Sequence, residues 1–256
     1  MSRRGIGGSD LAAVCAYYKP EKADDWAHFA TAADVWMRLV HGIEKPRSAT
    51  LQRGLDAEPR LRRAYLDAFG GSLEHHARPW VVTHPRAPYV SVSPDDVWLT
   101  PEGERVYCEW KTRNRFAEMK RPMFGEPGTD QAPDAYALQV QLNLDILGLK
   151  RGVLFVGFGC ETPDGAGAKP FLYSQTAPYF IERDPELLEF ALHYAERFHT
   201  EHILTRRPPS VEPKENIRAW KRLLKEQSWT TEAPSQSSNH SPTPSNTAEE
   251  NTTTAP

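Results

Sequence analysis

The sequence predicts an α+β protein, within the broad α/β class, in which helices flank a central mixed β-sheet. Three observations indicate this fold class. Hydrophobic residues recur at helical spacing up to about residue 70, and the spacing changes to two between about residues 80 and 112. After about residue 130, a helical pattern, an apolar run and a second helical pattern follow in turn. Helices on both sides of a run of strands are expected to cover the two faces of one sheet.

Three helices are predicted before the first strand. A short one covers 11–17, and Ser9, behind two glycines, occupies the position of its N-cap. A longer helix runs from about Asp25 to His41, where apolar residues keep a spacing of three to four. The third covers about 51–69 and is closed by two consecutive glycines.

The middle of the chain alternates between apolar and polar residues, as half-buried strands do. A four-residue turn, Pro-Glu-Gly-Glu at 101–104, separates the last two of these segments, which can therefore pair as a hairpin. The predicted strands are "WVVTH", "YVSVS", "DVWLT" and "RVYCEWK".

The C-terminal half of the predicted fold returns to helices around one more strand. A helix over 134–147 ends at Gly148, and "GVLFVGF" has the composition of a strand that is buried on both faces. A last helix begins at Asp184-Pro185, with Asp as cap and Pro in the first turn, and reaches about Leu204.

Composition divides the 256 residues into one domain, 1–227, and a Ser/Thr/Pro-rich tail, 228–256. The tail lacks hydrophobic periodicity, so we expect it to be disordered. No apolar run is long enough for a bilayer and the N-terminus lacks a signal-peptide core, so no membrane partner is expected. The cytoplasm is the predicted location. Three isolated cysteines argue against a disulfide framework or a cysteine-based metal site.

The formal net charge of −3 hides an even balance in the predicted domain. From Gln227 onward there are three glutamates and no Lys or Arg, which leaves 31 of the 34 acidic residues to face all 31 basic ones. The basic residues cluster in two segments, 111–121, which includes Arg113 and Arg115, and 206–225. Such stripes are typical of phosphate-binding surfaces, although each alone also fits a solvated face.

Three ionisable residues mark the predicted hairpin. Side chains alternate along "RVYCEWK", so Glu109 and Lys111 share one face. Asp95 ends the preceding strand, where a proline can turn the chain and bring this carboxylate to Glu109. Two converging carboxylates repel each other and need a cation. Oxygen ligands favour Mg²⁺, with Mn²⁺ as a substitute, and Lys111 would orient the attacking water in phosphodiester hydrolysis.

The same hairpin has a purely structural interpretation, in which Glu109 and Lys111 form a surface ladder pair and Asp95 caps a turn. Glu58 favours the chemical one, because it lies on the apolar stripe of its helix, where an unpaired carboxylate is costly. A salt bridge to Arg62, one turn on, is the alternative for Glu58.

Tyr136 and Gln139 lie three residues apart on one face of the predicted 134–147 helix. Both can donate a hydrogen bond to a phosphate or to a metal-bound water. The alternative is that they pack at the edge of the helix.

Five motifs follow one another in the order and approximate spacing of the YqaJ-type viral recombinase family, which the chain resembles over about 3–209. That family belongs with the phage lambda-type alkaline exonucleases in the PD-(D/E)XK nuclease superfamily. The motifs are "IGGSDLAAV", "GLDAEP", "HP" followed by "SPDD", "EWK" and "PDAYALQVQ".

The resemblance implies a restriction-endonuclease-like core in which Asp95, Glu109 and Lys111 form the D…E-x-K catalytic set. It implies that Glu58 is the helix-borne acidic residue beside the metal, and that Gln139, with Tyr136, closes the site from the next helix. The implied activity is a Mg²⁺-dependent 5′→3′ exonuclease that digests one strand of duplex DNA for phage-type recombination. The implied partners are DNA ends, a single-strand annealing protein and further copies of the chain, as a trimeric ring.

Two residues depart from the usual pattern of that family. The residue after the catalytic Asp is often Gly, whereas here it is Asp96, which could add a ligand or compete with Asp95. Trp110, between the Glu and the Lys, is bulkier than the usual aliphatic residue. We expect Trp110 to face away from the site and to alter only the packing behind the strand.

A 5′-end exonuclease needs a pocket for the terminal phosphate. By resemblance, Ser9, Ser93 and an N-terminal arginine form it, and free N–H groups at a helix N-terminus suit an anion. The spacing leaves open whether Arg3 or Arg4 serves, and the alternative is a cationic tip that binds nothing. For Ser9, the alternative is a plain N-cap.

Two other functions fit the same motifs. One is a restriction-like or structure-specific endonuclease on the same core, which differs from an exonuclease by cutting closed circular DNA. The other is a non-catalytic module that binds DNA ends, against which the presence of Asp95, Glu109, Lys111 and Glu58 argues.

Overall fold

The computed structural model of the chain describes residues 5–22, 30–44, 49–75, 80–161 and 171–210. Within these ranges the helices are α1 Gly8–Tyr18, α2 Ala32–His41, α3 Ala49–Phe69, α4 Arg115–Lys120, α5 Asp134–Leu147 and α6 Pro185–Phe198. A 3₁₀ turn, Pro20–Lys22, follows α1, and a π-helical turn, His199–Leu204, follows α6. Of the helices described, none combines the length and the apolar character that a bilayer crossing requires.

Five strands form one mixed sheet in the order β1-β4-β5-β6-β7, and β2 and β3 form a separate ribbon. β5 and β6 are parallel, and the other neighbours in the sheet are antiparallel. The strands are β1 Ser72–His75, β2 Val82–Thr83, β3 Ser91–Val92, β4 Asp96–Leu99, β5 Arg105–Asn114, β6 Arg151–Glu161 and β7 Phe171–Glu182. This mixed sheet, with helices against it, confirms the predicted fold class.

The central strand β5 presents its two faces to different helices. Tyr107 lies in a core cluster with Val140 of α5, whereas Trp110 lies in a cluster with Leu61 and Tyr65 of α3. A third cluster joins α1, α2, α6 and the β2–β3 ribbon. The alternation of side chains along β5 therefore assigns Glu109 and Lys111 to the α5 side.

Several predicted helix ends are confirmed by the structure. Gly70 follows α3 with a φ of 70°, and Gly148 ends α5 with a φ of 65°. Both are left-handed conformations that glycine adopts without a steric penalty. Asp184 caps α6, because its Oδ1 accepts hydrogen bonds from the backbone N–H groups of Glu186 and Leu187, each 3.0 Å away.

Two predictions about where helices begin were wrong. The helix expected from Asp25 begins at Ala32, because Thr31 is extended and accepts a hydrogen bond from the Asp34 N–H; residues 23–29 lie outside the described ranges. Gly7, not Ser9, is the N-cap of α1, so Ser9 lies in the first turn. The last helix reaches Leu204 as predicted, although it is α-helical only to Phe198 and π-helical from His199.

The strand predictions were right for β4, β5 and β6 and incomplete elsewhere. "WVVTH" and "YVSVS" contribute only the two-residue strands β2 and β3, outside the main sheet. The prediction that Asp95 ends a strand was wrong, since it immediately precedes β4. The tail 228–256 and most of the basic segment 206–225 lie outside the described residues.

Candidate active site

The main sheet opens between β4 and β5 at the point where β4 begins. Asp96, the first residue of β4, pairs with Cys108, so no β4 residue lies opposite β5 from Glu109 onward. At this opening the Asp95 carboxylate accepts the Trp110 backbone N–H, with a distance of 3.2 Å from N to Oδ2. Asp95 thus lies beside Glu109, as predicted, although the chain reaches this position at the start of a strand.

Glu109 is 1% exposed, and three side chains donate hydrogen bonds to it. Its Oε1 accepts from Gln139 Nε2 at 2.7 Å and from Lys111 Nζ, and its Oε2 accepts from the Tyr107 hydroxyl. A buried carboxylate requires donors of this kind to remain ionised. The structure therefore brings Glu109, Lys111 and Gln139 together as predicted. Tyr107 was not predicted, although its position two residues before Glu109 on the same strand face was the signal for it.

Lys111 lies between the carboxylates and the ring of Tyr136. Its Nζ is 5.5 Å from the ring centroid, a distance at which a cation is attracted to the aromatic face. Burial acts to lower the pKa of Lys111, but the negative charges of Glu109 and Asp95 outweigh it and leave that pKa above its usual value. Lys111 is therefore cationic at neutral and alkaline pH.

Two carboxyl groups of the site, those of Asp95 and Glu58, have raised pKa values. Burial raises the pKa of Asp95 well above its usual value, and the charge of Glu109 raises it further; Lys111 and the Trp110 N–H only partly oppose this. Burial also raises the pKa of Glu58, against the opposing charges of Arg62 and Lys111. Both shifts indicate that burial disfavours the charged forms of these two carboxylates by more than the neighbouring cations stabilise them.

Glu58 reaches the same opening from α3, and Arg62 connects it to Asp96. The Arg62 side chain donates through Nη2 to Glu58 Oε2 at 3.1 Å and through Nε to Asp96 Oδ2 at 2.6 Å. The predicted alternative for Glu58, a salt bridge one helical turn on, is thus present. Trp110 faces away from the site as expected, but its Nε1 also donates to Asp96 Oδ2 at 2.5 Å. Asp96 therefore lies on the Trp110 side of the sheet, away from the side that Asp95 shares with Glu109.

The side chains at this opening suit a divalent cation. Among the residues that the structure describes, Asp95 and Glu109 interact with Lys111, and Arg62 interacts with Glu58 and with Asp96 on the other side of the sheet. These four carboxylates and two cations leave two negative charges when all six are ionised. Within the described ranges, no three His, Cys, Asp or Glu side chains are grouped closely enough to hold a metal by themselves. Mg²⁺ is commonly bound by one or two carboxylates and completed by water and phosphate oxygens. The adjacent carboxylates of Asp95 and Glu109 fit that requirement.

The N-terminus of α1 packs against Gln139 of α5. A Cβ atom on Gly8 would lie 3.0 Å from Gln139 Cγ, so the missing side chain permits this approach. Asp10 is buried at the same end, where it accepts the Gly7 N–H at 2.6 Å and Arg38 Nη2 at 2.5 Å. Ser9 lies in this turn and is partly exposed.

The structure describes three of the other predicted phosphate-binding residues, Ser93, Arg113 and Arg115. Ser93 is partly exposed and lies two residues before Asp95. Arg113 Nε donates to Glu118 at 2.9 Å, and the exposed Arg115 donates to the Ser174 hydroxyl at 3.3 Å. Arg3 and Arg4 lie outside the described residues.

The family of the chain follows from a comparison with known protein families. The sequence profile of the YqaJ-like viral recombinase domain matches residues 1–150, more than half of the 256-residue chain. The chain belongs to this family. The matched range contains Asp95, Glu109, Lys111, Glu58 and Gln139. A comparison with curated proteins gave no match.

Solved structures of exonucleases share the fold of this YqaJ-like domain. An alkaline exonuclease from Laribacter hongkongensis, LHK-Exo, in complex with dAMP superposes with a TM-score of 0.54 at 17% identity, over 89% of this chain and 94% of that one. A phage-related exonuclease from Haemophilus somnus superposes with a TM-score of 0.55 at 16% identity, over 79% and 96% of the two chains. The central sheet with its flanking helices is therefore the fold of these exonucleases.

Proposed function

We propose that this protein is a Mg²⁺-dependent exonuclease that digests one strand of linear double-stranded DNA from its 5′ end. The observation that carries the proposal is the convergence of Asp95, Glu109 and Lys111 at the opening between β4 and β5. Membership of the YqaJ-like family and the fold shared with phage-type alkaline exonucleases support the same function. The single strand that remains would serve phage-type recombination.

Asp95 and Glu109 would hold the Mg²⁺, or Mn²⁺ in its place, with Glu58 as a further acidic group beside them. The chemistry that such a cation supplies when bound is polarisation of a phosphate oxygen and a lowered pKa of water. Gln139 and Tyr107 fix the two oxygens of Glu109, so this carboxylate keeps one orientation. A fixed ligand costs no reorganisation when the substrate binds.

Lys111 is the residue that would act on the reacting atoms. The charges of Glu109 and Asp95 raise the pKa of Lys111, which favours the ammonium form, a hydrogen-bond donor. Its ammonium group can orient the attacking water and stabilise the charge that develops on the scissile phosphate. Tyr136, against which Lys111 lies, limits the positions that the ammonium group can occupy.

The N-terminus of α1 is the proposed pocket for the 5′-phosphate. The first turn of α1, which contains Ser9, packs through Gly8 against Gln139, and Gln139 in turn contacts Glu109. Ser93 would contribute from the segment before Asp95, and Arg3 or Arg4 would contribute charge. Arg113 and Arg115 would bind the DNA backbone beyond the site. A single-strand annealing protein and a ring of identical subunits are the proposed partners.

A cleavage assay on 5′-phosphorylated duplex DNA tests this function. The wild-type protein is expected to convert linear duplex into single strands with Mg²⁺ and to be inactive in EDTA. Lys111→Ala is expected to lower the rate about 10²- to 10³-fold, the usual cost of removing one electrostatic donor, while DNA binding is retained. Lys150→Ala, at an exposed lysine between α5 and β6 and outside both basic segments, is the matched control and should cleave normally.

Two substrates separate this proposal from the alternatives. A closed circular duplex should remain intact, and its cleavage would instead indicate an endonuclease. A linear duplex without its 5′-phosphate should be digested more slowly, because the α1 pocket would lack its anion. Wild-type cleavage by Lys111→Ala would refute the proposed mechanism.

A further inference from the structure

Arg62 of α3 forms a bridge between two carboxylates that lie on different elements. Nη2 contacts Glu58 Oε2 at 3.1 Å within the helix, and Nε contacts Asp96 Oδ2 at 2.6 Å at the start of β4. The guanidinium carbon lies 6.0 Å from the centroid of the Trp110 ring. Three contacts thus define the position of one guanidinium group.

Asp96 is the anchor of this arrangement. Its side chain is 0% exposed, and an ionised carboxylate in such a position requires a cation and hydrogen-bond donors. Arg62 supplies the cation, and Trp110 Nε1 supplies a second donor at 2.5 Å. Asp96 is the first residue of β4 and pairs with Cys108 of β5. Its contact with Arg62 Nε therefore ties the guanidinium group to the sheet.

The two departures from the usual pattern of the family contact each other in this structure. A glycine at position 96 could not accept a hydrogen bond from Arg62 through a side chain, and an aliphatic residue at position 110 could not donate one. Asp96 and Trp110 therefore act as a unit, and the group that they hold is Arg62.

We propose that Arg62 is a positioning residue that presents Glu58 to the metal site, and that Asp96 and Trp110 hold Arg62 for this purpose. The proposal rests on the proposed function of the Asp95–Glu109 opening. One arm of the guanidinium is committed to Asp96, so the other meets only Oε2 of Glu58. Among the described residues, no hydrogen-bond donor reaches Glu58 Oε1, which can therefore serve a cation or its water.

A lysine at position 62 would keep the charge but could not reproduce this geometry. The guanidinium is a planar fork that bridges two acceptors, whereas an ammonium group is a point charge on a flexible stem. Residues that orient a ligand of a metal typically change its affinity or activity 10- to 100-fold when they are replaced. Arg62→Lys therefore separates the effect of position from the effect of charge.

The test is a titration of Mn²⁺ into the full-length protein without DNA, followed by calorimetry. We expect Arg62→Lys and Asp96→Asn to weaken Mn²⁺ binding by about 10-fold or more. Arg63→Lys is the matched control, because Arg63 is the next residue of the same helix and makes an i,i+4 pair with Asp67 in solvent. Its Mn²⁺ affinity should equal that of the wild type. A cooperative thermal unfolding transition in EDTA shows that a variant is folded, and its midpoint compares the stability of that variant with the wild type.

A double-mutant cycle distinguishes positioning from general support of the fold. If Arg62 acts through Glu58, Arg62→Lys should have no further effect on Mn²⁺ affinity in the Glu58→Gln background. A 10-fold loss that persists in that background would overturn the inference, as would wild-type affinity in both Arg62→Lys and Asp96→Asn. If Arg62→Lys fails to fold, the double-mutant cycle is measured with Asp96→Asn in its place, and the same outcomes support or overturn the inference.

The same titration keeps this inference separate from the proposed function. A wild-type protein that binds no Mn²⁺ would contradict the metal site itself, and with it both proposals. Wild-type binding that is lost in Glu109→Gln but unchanged in Arg62→Lys would support the metal site and refute the role of Arg62.

Discussion

At the scale of single residues, Asp95 illustrates the cost of assembling the candidate site. Asp95 lies near two other carboxylates, Glu109 and Glu58. Burial raises the pKa of Asp95 well above its usual value, and the negative charge of Glu109 raises it further. The folded protein therefore binds a proton at Asp95 more tightly than the unfolded chain does. The associated stability is present below the ordinary pKa of an aspartate and is lost as the pH rises through the raised pKa.

Asp95→Asn should stabilise the protein in EDTA at pH 8. The amide keeps an acceptor for the Trp110 N–H but carries no charge, and each tenfold change in proton affinity corresponds to about 1.4 kcal/mol. We expect a higher free energy of unfolding than for the wild type, measured by urea denaturation, and a gap that narrows toward pH 4. Such a gain at the expense of activity is common in functional sites.

Asp67→Asn provides the control for this comparison. Its carboxylate is 60% exposed and contacts Arg63 in solvent, so the free energy of unfolding should change little at either pH. Added Mg²⁺ should raise the stability of the wild type more than that of Asp95→Asn, because the cation neutralises the same charge. An Asn variant that is less stable than the wild type in EDTA at pH 8 would contradict the electrostatic account.

The residues of the site differ in how far the sequence could predict them. Asp95, Glu109 and Lys111 lie within 17 residues of one hairpin, so strand alternation alone indicates their meeting. The Arg62–Asp96 pair is 34 residues apart and joins a helix to a strand, and no local pattern specifies such a contact. The sequence favoured Asp95 over Asp96 by resemblance to the family. In the structure the Asp95 carboxylate accepts the Trp110 backbone N–H, whereas the Asp96 carboxylate contacts Arg62 and Trp110 Nε1.

At the scale of elements, periodicity predicted those helices and strands whose own residues determine them. The helices α3 and α6 have apolar stripes, α5 is buried on most sides, and all three have clear end signals. The strand β6 is apolar between its charged ends, Arg151 and Glu161. Strand β1 is only four residues long and acquires its conformation by pairing with β4. Strand β7 contains Pro178 and has no regular alternation, and it depends on its antiparallel pairing with β6.

The close contact between α1 and α5 can be tested by a substitution at Gly8. Gly8→Ala places a methyl group 3.0 Å from Gln139 Cγ and 3.4 Å from its Cα, so either the helices must separate or Gln139 must move. Gln139 holds Glu109, so we expect a lower kcat for DNA cleavage together with a loss of about 1–3 kcal/mol in stability, as overpacking usually costs.

Gly54→Ala is the matched control for this substitution. Gly54 lies inside α3, and the nearest atom to its added Cβ is Thr112 Oγ1 at 3.7 Å, an ordinary contact. Alanine is favoured over glycine in a helix by about 0.8–1.0 kcal/mol, so this variant should be slightly more stable and fully active. Wild-type stability and activity in Gly8→Ala would show that α1 does not press on Gln139.

At the scale of the whole molecule, the helices on either side of the sheet and the turn after α6 close the fold. Trp36 of α2 donates through Nε1 to the His202 carbonyl at 3.2 Å, and Tyr17 of α1 packs edge-on against the His202 ring at 5.3 Å. The chain beyond α6 therefore contributes to the cluster that joins α1, α2 and α6. A boundary of the folded domain must lie after this turn.

The boundary predicted at residue 227 stays a prediction, because 211–256 lie outside the described residues. The segment from Gln227 contains no Lys or Arg, so its removal takes away no cation that could contact DNA. We expect a chain of residues 1–227 to match the full-length protein in thermal unfolding midpoint and in digestion of linear duplex DNA. A chain of residues 1–198 should unfold at a lower temperature, because it lacks the partner of Trp36 and the ring against Tyr17. If 1–227 is also destabilised, or digests DNA more slowly at equal Mg²⁺ and salt, then the tail belongs to the working domain and the composition argument is wrong.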